Sequence, residues 1–150
     1  MKVAFLIPST TNKRENWLTA EDTYLWNILC QTLEYQCPDH NIKLFIGYDA
    51  ADRIYSDPEE RLKFSAVFTK FELEWFPQGN EMKGKVTSIW NNLGKEALLQ
   101  GYNYFKLLGD DIKMPSDTGW LGCFINKLKK NKNIGFSAGY SNNDNIPTQF

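Results

Sequence analysis

The chain has 150 residues, 42% hydrophobic and 15% aromatic, which excludes a disordered protein and gives one domain of ordinary size, residues 1–150. With 17 basic and 18 acidic residues the net charge is -1, so no whole-molecule field draws the chain to nucleic acid or to an anionic membrane. The elements are then legible in chain order. Residues 2–7 carry Val3-Ala4-Phe5-Leu6-Ile7, a buried strand. This run is too short for a signal peptide or a membrane span, and Pro8 is expected to end it. A polar loop follows to Trp17. Thr19 and Asp22 form a capping pair for a helix over about residues 20–36, with Leu25, Ile28, Leu29 and Leu33 at helical spacing. Residues 42–48 read as a second strand that ends at Asp49. Pro58, Glu59 and Glu60 suit the first turn of a helix that continues to about Thr69. Residues 71–76 alternate apolar and acidic side chains, as a half-exposed strand near a sheet edge does. After a loop holding Gly79 and Gly84, a helix runs over about residues 86–100 and stops at Gly101. Residues 104–108 form the next strand. Asp117 caps a helix with Trp120, Leu121, Phe124, Ile125 and Leu128 on one face. Its end carries Lys127, Lys129, Lys130 and Lys132, where cations complement the helix dipole. A last strand is expected over 134–138, before a polar turn at 141–145.

Alternating strands and helices predict an α/β domain, with a mostly parallel sheet and helices on both faces. The cysteines, Cys30, Cys37 and Cys123, are odd in number and form no CxxC pair; Cys30 and Cys123 fall on apolar helix faces. A reducing, cytoplasmic setting fits them. The single histidine, His40, stands in a polar loop and gives poor support to a His-based zinc site or a Ser-His-Asp triad. Trp17, Trp75 and Phe76 are read as exposed aromatics, which either mark a partner surface or are the scattered exposed aromatics common on any surface.

The most informative stretch is Leu107-Leu108-Gly109-Asp110-Asp111-Ile112, an apolar strand that runs into two adjacent carboxylates. The C-terminal strand edge is where open α/β sheets place ligands. Adjacent carboxylates repel unless something positive joins them, and Mn2+ or Mg2+ bridging to phosphate oxygens is a common solution. Two further strand ends should reach the same edge: Pro8-Ser9-Thr10-Thr11, and Tyr48-Asp49 followed by Asp52. That set suits a nucleotide diphosphate, with a carboxylate accepting from a base N–H. Asp is also a default turn residue, so the residues alone leave a turn role open for each of these acids.

Gly79-Asn80-Glu81-Met82-Lys83-Gly84-Lys85 fits the GxxxxGK spacing of a phosphate-binding loop. Position 86 is Val rather than Ser or Thr, and one helix alone separates the loop from the acidic strand end. A P-loop-like NTPase is therefore the weaker reading. Lys83 and Lys85 remain candidates to face a donor phosphate or sugar, or are solvated loop lysines. Trp90 is expected in the core, while Asn91 either points at the ligand or lies on an exposed helix face.

Taken in order, these stretches resemble the donor half of GT-A fold glycosyltransferases of the family 2-like type, including those encoded by large DNA viruses. The matching stretches are Val3 to Thr11, Phe45-Ile46-Gly47-Tyr48-Asp49, Trp90-Asn91-Asn92-Leu93 with Ala97, and Gly101-Tyr102-Asn103-Tyr104-Phe105. They continue through Leu108-Gly109-Asp110-Asp111-Ile112, Gly119-Trp120-Leu121, Asn133-Ile134-Gly135 and Ile146-Pro147-Thr148-Gln149. The resemblance implies a GT-A (Rossmann-like) sheet and a DxD-like motif. In it Asp111 binds Mn2+ or Mg2+ on the donor diphosphate, and Asp110 helps to hold ribose or metal. The first motif position is Gly109, so a ribose contact from there is not implied. Pro8, Ser9 and Thr10 would line the base and ribose pocket, and Asp49 would contact uracil. The implied reaction moves a sugar from a nucleotide-sugar donor, expected to be a UDP-sugar, to a hydroxyl of a glycan or protein-glycan acceptor. No catalytic base is identified; Asp144, in its Asn-rich turn, is the stand-in. The chain ends at Phe150, soon after the last expected strand, which suggests a module rather than a large complete enzyme. The alternative is a non-catalytic or truncated nucleotide-sugar-binding module.

Overall fold

The computed structural model describes residues 2–36 and 41–130. Four strands form one parallel sheet in the order β3-β2-β1-β4, with β1 Lys2–Ser9, β2 Asn41–Asp49, β3 Glu72–Gln78 and β4 Tyr104–Leu107. Alternate β1 side chains serve opposite faces. Val3, Phe5 and Ile7 join one core, while Ala4 and Leu6 join the other.

The larger core is covered by three helices. A short 3-10 turn, Ala20–Asp22, precedes a π-helical stretch, Leu25–Cys30, that runs into α1, Gln31–Gln36. The single α-helix expected over 20–36 is thus three different turns. The Thr19–Asp22 pair does cap the first: Asp22 Oδ2 accepts from the N–H groups of Leu18 at 2.8 Å and Thr19 at 3.0 Å. Leu25, Leu29 and Leu33 all lie in the core, as their helical spacing predicts. Helix α2, Pro58–Val67, adds Phe64, and α4, Trp120–Lys130, adds Trp120, Leu121 and Ile125. The Asp57 carboxylate caps Glu59 N–H at 2.8 Å, and Asp117 accepts from Gly119 N–H at 2.8 Å. Lys127, Lys129 and Lys130 close α4.

Helix α3, Val86–Leu99, covers the opposite face, placing Leu93 and Ala97 over Ala4, Leu6 and Phe45. Its close approach depends on Gly47, where an added Cβ would lie 2.6 Å from Ile89 Cγ2. Gly101 stops the chain after α3 with φ of 81°.

Three expectations are corrected. Pro8 does not end β1: pairing continues through Pro8–Gly47 and Ser9–Tyr48. Proline is tolerated because the β4 ladder ends at Leu6, so no partner there needs its missing N–H. Trp17 is buried at 8% exposure, edge-on to Tyr24 with ring centroids 4.7 Å apart, and Trp75 and Phe76 are half-buried against the two cores. Cys123 is exposed, while Cys30 is buried, with burial raising its thiol to about 12. Strand β3 does lie at the edge. Its Glu72 and Glu74 each reach Lys43 Nζ at 2.7 Å, so its acidic face is tied to β2. The expected strand at 134–138, the 141–145 turn with Asp144, the 146–149 stretch, Cys37 and His40 lie outside the described residues. No helix among the described residues is long and apolar enough to cross a membrane.

Candidate functional site

The chain runs from β1 outward through β2 to β3, then crosses back to place β4 on the other side of β1. The crossover moves from one face of the sheet to the other at this point. The C-terminal ends of β1 and β4 therefore diverge and open a crevice, the ligand position of doubly wound sheets. A cavity of about 650 Å3 lies there, a size that holds a small-molecule ligand. Pro8, Ser9 and Thr10 from β1, Asp49 from β2, and Asp110 and Asp111 after β4 all line it. The loop after β3 brings Lys83 to the same wall. Lys85 and Asn91 are not on that wall: Lys85 is the N-cap residue of α3, and Asn91 is exposed on the helix.

The loop after β1 is held from below. Asp52, 1% exposed, accepts from Thr11 N–H at 2.7 Å, Thr11 Oγ1 at 2.9 Å, and the N–H groups of Ile54 and Tyr55 at 3.0 Å each. Asp52 is thus a turn residue, saturated by its own loops. The Arg53 guanidinium donates to the carbonyl oxygens of Arg14, at 2.9 Å, and of Trp17. Asp49 differs. Its Oδ1 accepts from Ala51 N–H at 3.0 Å, as in a turn, while Oδ2 accepts from Asn12 Nδ2 at 3.1 Å on the cavity wall. Those bonds, with the charge of Lys83, hold its carboxyl below the usual carboxylate range.

Asp110 is tuned the other way. Burial pushes its carboxyl up to about 6; the Ser9 hydroxyl and the N–H groups of Asp110 and Thr10 oppose this, and the charge of Asp111 adds to it. Ser9 Oγ lies 2.6 Å from Asp110 Oδ2 and 2.7 Å from the Tyr55 hydroxyl oxygen. Ser9 has one hydroxyl proton, and an ionised carboxylate only accepts. The proton therefore goes to Asp110, and Tyr55 donates to Ser9. Asp111 is exposed, and its Oδ1 rests over Gly109, where an added Cβ would lie 2.7 Å from it. A side chain at position 109 would force that carboxylate to move.

Several wall residues were not singled out from sequence. Lys13 faces the cavity from a left-handed backbone, φ 64°, and Met82 and Ile89 add apolar surface. Gln78 is buried and accepts from Asn92 Nδ2 at 3.1 Å, so it is Asn92 rather than Asn91 that turns toward the sheet end. Trp90 is both core and wall: its ring packs on the α3-side core while Nε1 donates to Leu6 O at 3.1 Å. A periodic pattern marks such a residue as buried but gives no sign of the cavity beside it.

The acids at this edge offer oxygen donors of the kind a hard divalent cation takes. Asp110 and Asp111 are two carboxylates, and no group of three or more His, Cys, Asp or Glu suited to a metal occurs among the described residues. That set fits a cation that shares its coordination with phosphate oxygens and water rather than one held by protein alone. Compared with models of protein families and with curated protein sequences, the chain matches none.

Proposed function

We propose that this domain binds a nucleotide sugar as its complex with Mn2+ or Mg2+ and transfers the sugar to a hydroxyl acceptor. The observation that carries the reading is the convergence of Asp49, Asp110 and Asp111 on one cavity at the β1/β4 crossover, with Lys13 and Lys83 beside them. Asp49 is ionised and partly tied to Asn12, so it is suited to accept from a base N–H. Asp110 and Asp111 would hold the cation, which when bound neutralises the negative charge on a departing diphosphate. Lys13 and Lys83 are the cations suited to phosphate oxygens. Ile89, Trp90 and Met82 give the apolar wall against which a sugar or base packs. A UDP-sugar is the expected donor, and the resemblance to family 2-like GT-A enzymes supports the same assignment.

A binding module without turnover is the second reading. It is favoured by the absence, among the described residues, of a third acid or a histidine grouped with Asp110 and Asp111. Donor turnover separates the two. Incubation with manganese and a panel of UDP-sugars should release UDP, by transfer or slow hydrolysis, and Asp111→Asn should stop it. Tight donor binding with no UDP released would leave the module.

A further inference from the structure

Tyr55 does not line the cavity, yet it reaches the cavity's acid through one intermediate atom. It follows β2 in the turn organised by Asp52, and it is fully buried. Its ring is wedged among Tyr48, Phe64 and Trp75, with centroids 6.4, 6.1 and 5.7 Å away. Its hydroxyl meets Ser9 Oγ at 2.7 Å, and Ser9 Oγ meets Asp110 Oδ2 at 2.6 Å. The series joins the turn after β2, the last residue of β1 and the first acid after β4, which together frame the crevice. A tyrosine ring held on three sides cannot follow a wandering partner. The relay thus fixes Ser9, and Ser9 fixes one carboxylate oxygen of Asp110.

We propose that Tyr55 and Ser9 are positioning residues for Asp110: their hydroxyl relay holds Oδ2 against β1 and so leaves the other oxygen presented to the cavity. This rests on the nucleotide-sugar reading and adds to it a residue outside the cavity wall. Partners that orient a ligating carboxylate without touching the ligand typically matter about 10- to 100-fold in affinity. The Ser9 proton is committed to Asp110, so the Ser9 side chain serves the ligand through that acid.

The test is calorimetric titration of UDP with manganese, paired with electron paramagnetic resonance of the bound manganese, on six chains. These are wild type, Tyr55→Phe, Asp110→Asn, the double variant Tyr55→Phe/Asp110→Asn, and Ser9→Ala beside Ser9→Thr as the rescue pair. Tyr55→Phe keeps the ring and is expected to weaken manganese–UDP binding about tenfold. In the Asp110→Asn background the same change should do almost nothing, because the amide oxygen stays on Ser9 and the group left for the cavity is an NH2, which holds no cation. A Tyr55→Phe chain that binds like wild type overturns the relay while leaving the functional reading standing. So does a tenfold loss that persists in the Asp110→Asn background, since Tyr55 would then act by general loosening. A wild type that does not bind manganese–UDP overturns the UDP-sugar reading and, with it, the relay's role. Should Tyr55→Phe fail to fold, the Ser9 pair decides: Thr should restore what Ala loses, and equal loss in both contradicts the relay.

Discussion

Thr11 gives Asp52 both its backbone N–H, at 2.7 Å, and its hydroxyl, at 2.9 Å, and so ties the loop after β1 to the turn after β2. Two further N–H groups complete the carboxylate. Asp52→Ala would leave buried donors unpaired, at about 1–3 kcal/mol for each that finds no water. We expect a loss of about 3 kcal/mol in urea unfolding. The ligand affinity should fall as well, because the wall that carries Ser9, Thr10 and Asn12 loses its support.

Asp110 predicts a pH dependence of opposite sign to that of ordinary carboxylates. Burial raises its folded-state pKa to about 6, above the unfolded value near 3.8. The folded chain therefore binds the extra proton, and the stability this brings is full below the unfolded pKa and lost as pH rises through about 6. Asp110→Asn removes the charge without removing the acceptor for Ser9. The variant should be more stable than wild type at pH 7 by about 1–2 kcal/mol, scaled down because the carboxylate borders open solvent. The gain should shrink toward zero near pH 4. Urea unfolding at both pH values checks it; a gain independent of pH would contradict the assignment.

Gly47 carries no conformational strain, yet it has no room for a side chain. An alanine Cβ would sit 2.6 Å from Ile89 Cγ2 and 3.3 Å from Leu93 Cδ1. Pushing α3 outward should lower stability by about 1–3 kcal/mol. Since Ile89 also lines the cavity, Gly47→Ala should weaken ligand binding more than its distance from the acids suggests.

Lys13 separates strain from function. Its left-handed backbone is one that asparagine adopts more readily than lysine. Lys13→Asn should leave stability unchanged or raise it by about 0.5 kcal/mol. Loss of one partly exposed charge should weaken manganese–UDP binding about three- to fivefold.

How far the sequence carries is clear from particular residues. The four described strands follow from apolar runs and their alternation, and Asp110 and Asp111 stand out because two acids directly follow one such run. The convergence of Pro8, Ser9, Thr10, Asp49, Asp110 and Asp111 on one edge needs only parallel strands in this order. Contacts between distant loops were not legible. Asp52 and Arg53 order the Thr10 to Trp17 loop from about 40 positions away in the chain, and the same packing buries Trp17. Gly84, with φ of 74°, turns the chain between Lys83 and Lys85, so one lysine meets the cavity and its near neighbour starts α3. A one-position rotation likewise puts Asn92, not Asn91, against Gln78. The Tyr55–Ser9–Asp110 series spans 101 positions between Ser9 and Asp110 alone, and no local pattern announces it.

The most direct test is a thermal-shift titration of the whole chain with UDP and other nucleoside diphosphates, with and without manganese, on wild type and Asp111→Asn. A ligand at about 100 times its dissociation constant adds about 2.7 kcal/mol, a rise of about 5–10 °C in Tm for a chain of this size. We predict a manganese-dependent rise, selective for one nucleoside diphosphate and lost in Asp111→Asn. No rise with any nucleoside diphosphate would contradict the assignment of this cavity to a nucleotide sugar.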